Sequence, residues 1–181
     1  MHPSRAGALF LLAALLSPAL PRADDRADRI HKADEAIALF KKTDPSLARF
    51  FHTSVAWAVF PSVAKGAFGI GGAGGHGVLF EGGKAVGTTS LAQVTIGLAL
   101  GGQSYAEIIF FETAAPLSDF KGGNFAFAAQ ASAIAAAAGV AANAKYEQGV
   151  AVFTHAIGGL MYEASVGGQK FDYEPFGQGK K

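Results

Sequence analysis

Val55-Ala56-Trp57-Ala58-Val59-Phe60 marks the point where the chain changes period. β-branched and aromatic residues crowd together here and Pro61 follows, so the run reads as a strand closed by that proline. Upstream the spacing is helical. Ile30, Ala33, Ile37 and Phe40 recur every three or four residues and share one helix face. Asp24, Asp25 and Asp28 open that helix and Lys41 and Lys42 close it, in keeping with the helix dipole. Thr43-Asp44-Pro45 then reads as a stop and a restart, with Asp44 as N-cap and Pro45 at the first helical position. Leu47, Phe50 and Phe51 would face inward from a short second helix.

Downstream of Val55 the chain is punctuated by glycine. Residues 66–80 end in the alternating His76, Val78 and Phe80, and Glu81-Gly82-Gly83-Lys84 reads as a turn. Residues 91–100 alternate cleanly, and Tyr105 to Phe111 is apolar on both sides, as in a central strand. A short helix is expected over residues 115–121. An Ala-rich helix follows, capped by Asn124, running to about Ala142 and packing through Phe125, Ala129 and Ile134. The end reads as a meander of three strands, over residues 150–157, 160–166 and 170–174, with Gly158-Gly159 and Gly167-Gly168 at the junctions. The fold class is therefore α+β: one domain with a curved, mostly antiparallel, barrel-like sheet covered by the N-terminal and Ala-rich helices.

Composition supports a single folded domain. Of 181 residues half are hydrophobic and 16% charged, which is enough apolar material for a core and too little charge for disorder. Cysteine is absent, so there is no disulfide framework, thiolate metal site, cysteine nucleophile or lipidated cysteine. Residues 1–23 read as a secretory signal. Arg5 precedes an apolar run from Ala6 to Leu16, too short for a membrane span, and Ser17-Pro18-Ala19 and Pro21-Arg22-Ala23 follow as small-residue exits. Cleavage is expected after Ala19 or Ala23, leaving residues 24–181 as an exported domain, periplasmic or secreted. Without Arg5 and Arg22, thirteen Lys and Arg face fourteen Asp and Glu. That balance argues against nucleic acid as a partner, which requires a dense basic surface.

Catalytic signals are weak. Gly69-Ile70-Gly71-Gly72-Ala73-Gly74 matches the letters of a dinucleotide loop, but His76 to Phe80 after it reads as strand rather than helix, and no Gly-Lys-Ser/Thr follows. We read these glycines as bending a curved sheet, and expect Gly71 and Gly74 to resist valine. The histidines lack metal-ligand spacing. His31, with Asp28 and Glu35 on one helix face, is better read as part of a solvated surface. No serine stands in a G-x-S-x-G turn. Glu107, Glu112 and Glu163 lie in apolar strands, where burial would shift a carboxyl, but nothing selects a catalytic pair. The expectation is no catalytic residue, no metal and no cofactor.

Read together, several stretches resemble the SYLF (Ysc84-like) family. Ala58-Val59-Phe60-Pro61-Ser62-Val63-Ala64-Lys65-Gly66-Ala67-Phe68-Gly69-Ile70-Gly71-Gly72 is similar to that family's opening motif, with Ala67 where glycine is common. Residues 94–111 resemble its central strand pair, residues 117–127 the segment after it, and Gly158-Gly159-Leu160-Met161-Tyr162-Glu163-Ala164-Ser165-Val166-Gly167-Gly168 its close. The resemblance spans residues 30–175 in consistent order. It implies a non-enzymatic domain that binds anionic phospholipids or phosphoinositides, here at an envelope membrane. Eukaryotic relatives also bind actin, so the other implied role is a structural or protein-interaction module of the envelope, with its partner unspecified. With a charge near −1 after cleavage, attraction to a membrane must be local. Lys41, Lys42 and Arg49 at the first helix junction, and Lys65 beside Phe68, are the candidate lipid-binding residues. The N-terminal helix can lie on an anionic membrane or simply pack on the sheet.

Overall fold

The computed structural model describes residues 23–123, 133–158 and 168–177, with backbone only for residues 23, 24, 67–71 and 94–101. The helical part follows the sequence reading closely. Helix α1 spans Ala23–Thr43, a 3-10 turn spans Pro45–Leu47, and α2 spans Ala48–Thr53. Asp44 is the cap between them: its carboxylate accepts from the Ser46 N–H at 3.0 Å, and Pro45 fills the first position after it. Ala33, Phe40, Leu47 and Phe50 are buried, which makes the expected stripe the packing face.

The sheet is built on one long hairpin. Strand β1 spans Ala56–Glu81 and β2 spans Lys84–Phe111, with Ala56 opposite Phe111 and Glu81 opposite Lys84. Gly82 and Gly83 both have positive φ, 53° and 80°, as the expected two-residue turn requires. The sequence reading broke these strands too early. Pro61 does not close the first strand; it falls at a register shift between Phe60 and Val63, where a missing N–H removes no ladder bond. Residues 91–100 and 105–111 are likewise one strand, carried through Gly101 and Gly102 by pairing with Ala67 and Gly66.

Beyond the hairpin, α3 spans Ala114–Lys121, as expected. The Ala-rich helix is not found in its described part. Ile134–Ala135 forms a short strand, β3, and Val140–Ala142 a 3-10 turn. Residues 124–132 of that reading lie outside the described residues. Alanine favours helix by tenths of a kcal/mol per residue, and here tertiary contacts override that preference. Ile134 and Ala135 pair in parallel with Phe153 and Thr154, the Ala136 N–H donates to the Thr154 carbonyl, and Gly139 turns the chain at φ 79°. Strand β4 spans Val150–Gly158 and β5 spans Gln169–Pro175, matching two of the three terminal strands expected. The third, over residues 160–166, lies outside the described residues.

The order is β1-β2-β4-β3, with β5 pairing the other half of β2. β4 pairs residues 104–111 of β2 and β5 pairs residues 87–93. The class is thus α+β with a curved, mostly antiparallel sheet, but the barrel-like closure expected from sequence is corrected: the described sheet does not close into a barrel. The curl comes from the hairpin bending over itself. A β-carbon built on Gly75 would lie 2.7 Å from the Ser62 carbonyl oxygen, and one on Gly77 would lie 2.8 Å from the Phe60 ring, so the two arms of β1 approach backbone to backbone. Between the arms lies one core, including Phe60, Leu79, Leu91, Ile109, Phe111, Phe120 and Phe171. On the outer face a second core, including Phe40, Phe50, Trp57, Val59, Ile108, Phe110 and Phe153, lies under α1 and α2.

Among the described positions of the glycine run, close approach falls at Gly75 and Gly77 rather than at Gly74. Gly74 leaves a β-carbon 3.5 Å from the Leu91 carbonyl oxygen, an ordinary contact, and the side of Gly71 lies outside the described side chains. Gly75 and Gly77 are the positions of close approach, because they face the inner side of the bend.

Candidate functional site

The junction between α1 and α2 carries the cations singled out above. The last turn of α1 presents Lys41 and Lys42, and among the described residues neither is ion-paired. Lys41 Nζ stands 4.3 Å from the centroid of the Phe51 ring. Lys42, two positions from the buried Phe40, points away from the core and is exposed. Apolar surface lies near in sequence: Leu39 is 37% and Val55 44% exposed. Between positions 36 and 80 the chain has four Lys or Arg and a single acid, Asp44.

That acid is withdrawn from the surface. Asp44 is fully buried. Besides the Ser46 N–H, it accepts from the Ser46 hydroxyl at 2.6 Å, the Gly139 N–H at 3.1 Å and the Ala141 N–H at 2.7 Å. Burial pushes its pKa up, but these hydrogen bonds outweigh burial and hold it below the ordinary aspartate range. A residue read from sequence as a local cap therefore also pins the 3-10 turn nearly a hundred positions away.

Arg49 is a different kind of cation from its neighbours. Its guanidinium lies 4.5 Å from the Phe50 ring centroid and donates to the Ala144 carbonyl. It ties α2 to the segment before β4. Arg49→Ala is expected to cost about 1–2 kcal/mol, the sum of a hydrogen bond and a ring contact, in a urea unfolding experiment.

Lys65 does not join this group. It is half-buried on β1 opposite Gln103. Its neighbour Ala64 lines a cleft of about 440 Å³ at the opposite end of α1, together with Asp25, Asp28, Arg29, Lys32, Ser62 and His76. Sixteen residues of helix separate Asp25 from Lys41, about 24 Å along the axis. The cleft is mixed in charge, and Lys32 pairs with Asp28 at 2.7 Å. The side chain of Phe68, the fifth candidate, lies outside the described side chains. His31 sits 3.7 Å from Glu35 with both side chains exposed, and no group of three or more His, Cys, Asp or Glu among the described residues could hold a metal. No helix among the described residues is long and apolar enough to cross a membrane.

Sequence reasoning left one feature unresolved. Of the three glutamates placed in apolar strands, Glu107 is fully buried, Glu112 is exposed, and Glu163 lies outside the described residues. Glu107 faces the inner core. Opposite it on β4 is Thr154, and on β5 Gln169 Nε2 donates to its Oε2 at 3.1 Å. Gln169 also hydrogen-bonds the Tyr105 hydroxyl. Burial pushes the Glu107 carboxyl up to about 7, against the opposing hydrogen bond from Gln169. Glu107, Thr154 and Gln169 are all sealed from solvent, so the cluster offers a substrate no approach.

No family model and no curated protein matches the chain.

Proposed function

We propose that this domain is a non-enzymatic binder of anionic phospholipid, acting at an envelope membrane surface through the α1–α2 junction. The observation that carries the reading is the pair of exposed lysines at that junction. Lys41 and Lys42 project without ion-pair partners among the described residues, and the one acid between positions 36 and 80 is buried, with its oxygens held by backbone N–H groups. Leu39 and Val55 add exposed apolar surface nearby in the chain. A small cationic patch beside apolar groups suits a phosphate-bearing interface, each basic residue contributing about 1 kcal/mol near an anionic leaflet. The resemblance to the SYLF family points the same way. Arg49 takes a supporting role, because its guanidinium is already engaged with the Ala144 carbonyl.

Co-sedimentation with vesicles tests this. The domain is expected to bind phosphatidylglycerol-containing vesicles at low salt, to release as salt rises, and to ignore purely phosphatidylcholine vesicles. Lys41→Glu/Lys42→Glu is expected to weaken binding roughly 30-fold or more, since two favourable charges become unfavourable. Stability should move by only about 1 kcal/mol, the scale of the Lys41–Phe51 contact. Wild-type binding by this double variant would remove the junction from the reading.

A further inference from the structure

We propose that Glu107, Thr154 and Gln169 form a proton-operated clasp between the two arms of the sheet: with Glu107 protonated, β5 stays closed over the inner core, and ionisation of Glu107 loosens β5. The proposal is independent of what the surface binds.

β5 hydrogen-bonds only the residue 87–93 half of β2, whereas Glu107 belongs to the half that pairs with β4. The Gln169–Glu107 hydrogen bond therefore crosses the interior from one arm to the other. Phe171, two residues on and on the same face of β5, makes the same crossing, with ring centroids 5.8 Å from Phe60 and 5.0 Å from Phe120. The cluster sits in an apolar core, and among the described residues Glu107 Oε1, Thr154 Oγ1 and Gln169 Oε1 have no hydrogen-bond partner. A neutral carboxyl tolerates this setting far better than a carboxylate, which must be hydrated or paired.

Among the described residues, those facing Glu107 supply no counter-charge. Facing Glu107 across the ladders are Phe60 of β1 and Thr154 of β4, with Gln169 reaching it from β5. Lys170 and His155, adjacent in sequence to Gln169 and Thr154, point to the other faces of their strands. Tyr105 is the titratable neighbour. Its own burial and the Glu107 charge both push its hydroxyl up, so it stays neutral throughout.

The sign follows from the raised carboxyl, which lies at about 7 in the fold. Between the ordinary glutamate range and that value the folded state binds more protons than the unfolded one. Closure is therefore strongest at acid pH, weakens as pH rises through this window, and is fully penalised above it. A displacement of this size corresponds to about a 300-fold change in the opening equilibrium.

Hydrogen exchange of the whole chain, corrected for intrinsic rates, at pH 5.5 and pH 8.5 tests the clasp. In wild type, amides of residues 169–175 should lose protection by tenfold or more at the higher pH, while those of residues 150–153 change little. Glu107→Gln keeps a neutral group of the same shape and should abolish the pH effect on β5. Gln169→Leu removes the donor that favours the carboxylate and should move the midpoint to higher pH, which keeps the test open if Glu107→Gln does not fold. Equal pH responses in wild type and Glu107→Gln would overturn the proposal. So would a loss of protection spread evenly over β4 and β5, or an unmoved midpoint in Gln169→Leu.

Discussion

Gly77→Ala is expected to abolish folding or to cost about 4 kcal/mol or more, placing it among the most damaging single substitutions in the chain. The added carbon would overlap the Val59 carbonyl oxygen and come within 2.8 Å of the Phe60 ring. Neither can give way easily. Val59 and Phe60 are fully buried, and Phe60 is held against Phe171 on the far side. The strain is steric rather than torsional, because Gly77 is not among the positive-φ glycines. Two controls separate this from a general intolerance of the glycine-rich strand. At Gly66 a β-carbon meets nothing within 4 Å, so Gly66→Ala should be neutral or mildly stabilising through loss of unfolded-state freedom. Gly74→Ala should cost less than about 1 kcal/mol, since the nearest atom would be at ordinary contact distance. Thermal or urea unfolding of the three variants checks the ranking. A Gly77→Ala protein as stable as Gly74→Ala would refute the close approach of the two arms of β1.

Asp44→Ala should cost about 3–5 kcal/mol. The loss exceeds the roughly 1 kcal/mol of an ordinary helix cap because three backbone donors, Ser46, Gly139 and Ala141, lose their acceptor at once, two of them in a distant segment. Asp44→Asn keeps one side-chain oxygen and should fall between wild type and alanine. The linkage has a definite sign. The pKa of Asp44 is lowered in the fold, so its contribution is fully present above the ordinary aspartate range and is lost as pH falls below it. The variants should therefore differ most from wild type at neutral pH, and the gap to Asp44→Asn should narrow in strong acid. Urea unfolding at pH 7 and pH 3 measures both. An alanine variant that loses only the cost of a cap would show that the tie to Gly139 and Ala141 is not formed.

These two residues also show what the sequence made legible. Asp44-Pro45 was readable because a cap and a first-position proline act within three residues, and Gly82-Gly83 because a two-residue hairpin turn demands positive φ. What was misread depended on distant partners. Pro61 and Gly101-Gly102 looked like strand ends, yet the strands continue past both: pairing resumes at Val63 after a register shift at Pro61, and Gly101 and Gly102 pair with Ala67 and Gly66. Residues 133–142 read as helix from their alanines, but Phe153 and Thr154 offer Ile134 and Ala135 an edge to pair with, and Asp44 draws in the turn at 139–141. Of the candidate cations, Lys41 and Lys42 both fall in the last turn of α1, a placement that sequence can supply. That Arg49 is engaged by Ala144, and that Lys65 is half-buried on β1 opposite Gln103, are facts of the folded chain. Glu107 was suspected of burial from its apolar run, but Gln169, its hydrogen-bond partner, stands 62 positions further on.

The long hairpin has a consequence for the order in which the molecule assembles. Bringing Ala56 to Phe111 directly would close a loop of more than fifty residues in one improbable step. Starting instead at Gly82-Gly83, where the turn residues already favour reversal, each new pair extends its predecessor, and only a small increment of chain freedom is lost at a time. Speed of assembly is then insensitive to hairpin length, and the irregularities at Leu79/Phe80, Phe68/Ile70 and Phe60/Val63 become the places where such a zipper would pause. The partners of β4 and β5 enjoy no such shortcut. Val150 must find Phe111, and Gln169 must find Gln93, across long stretches of chain. The rate-limiting event in folding should accordingly be the arrival of the C-terminal strands on a ribbon that has already formed.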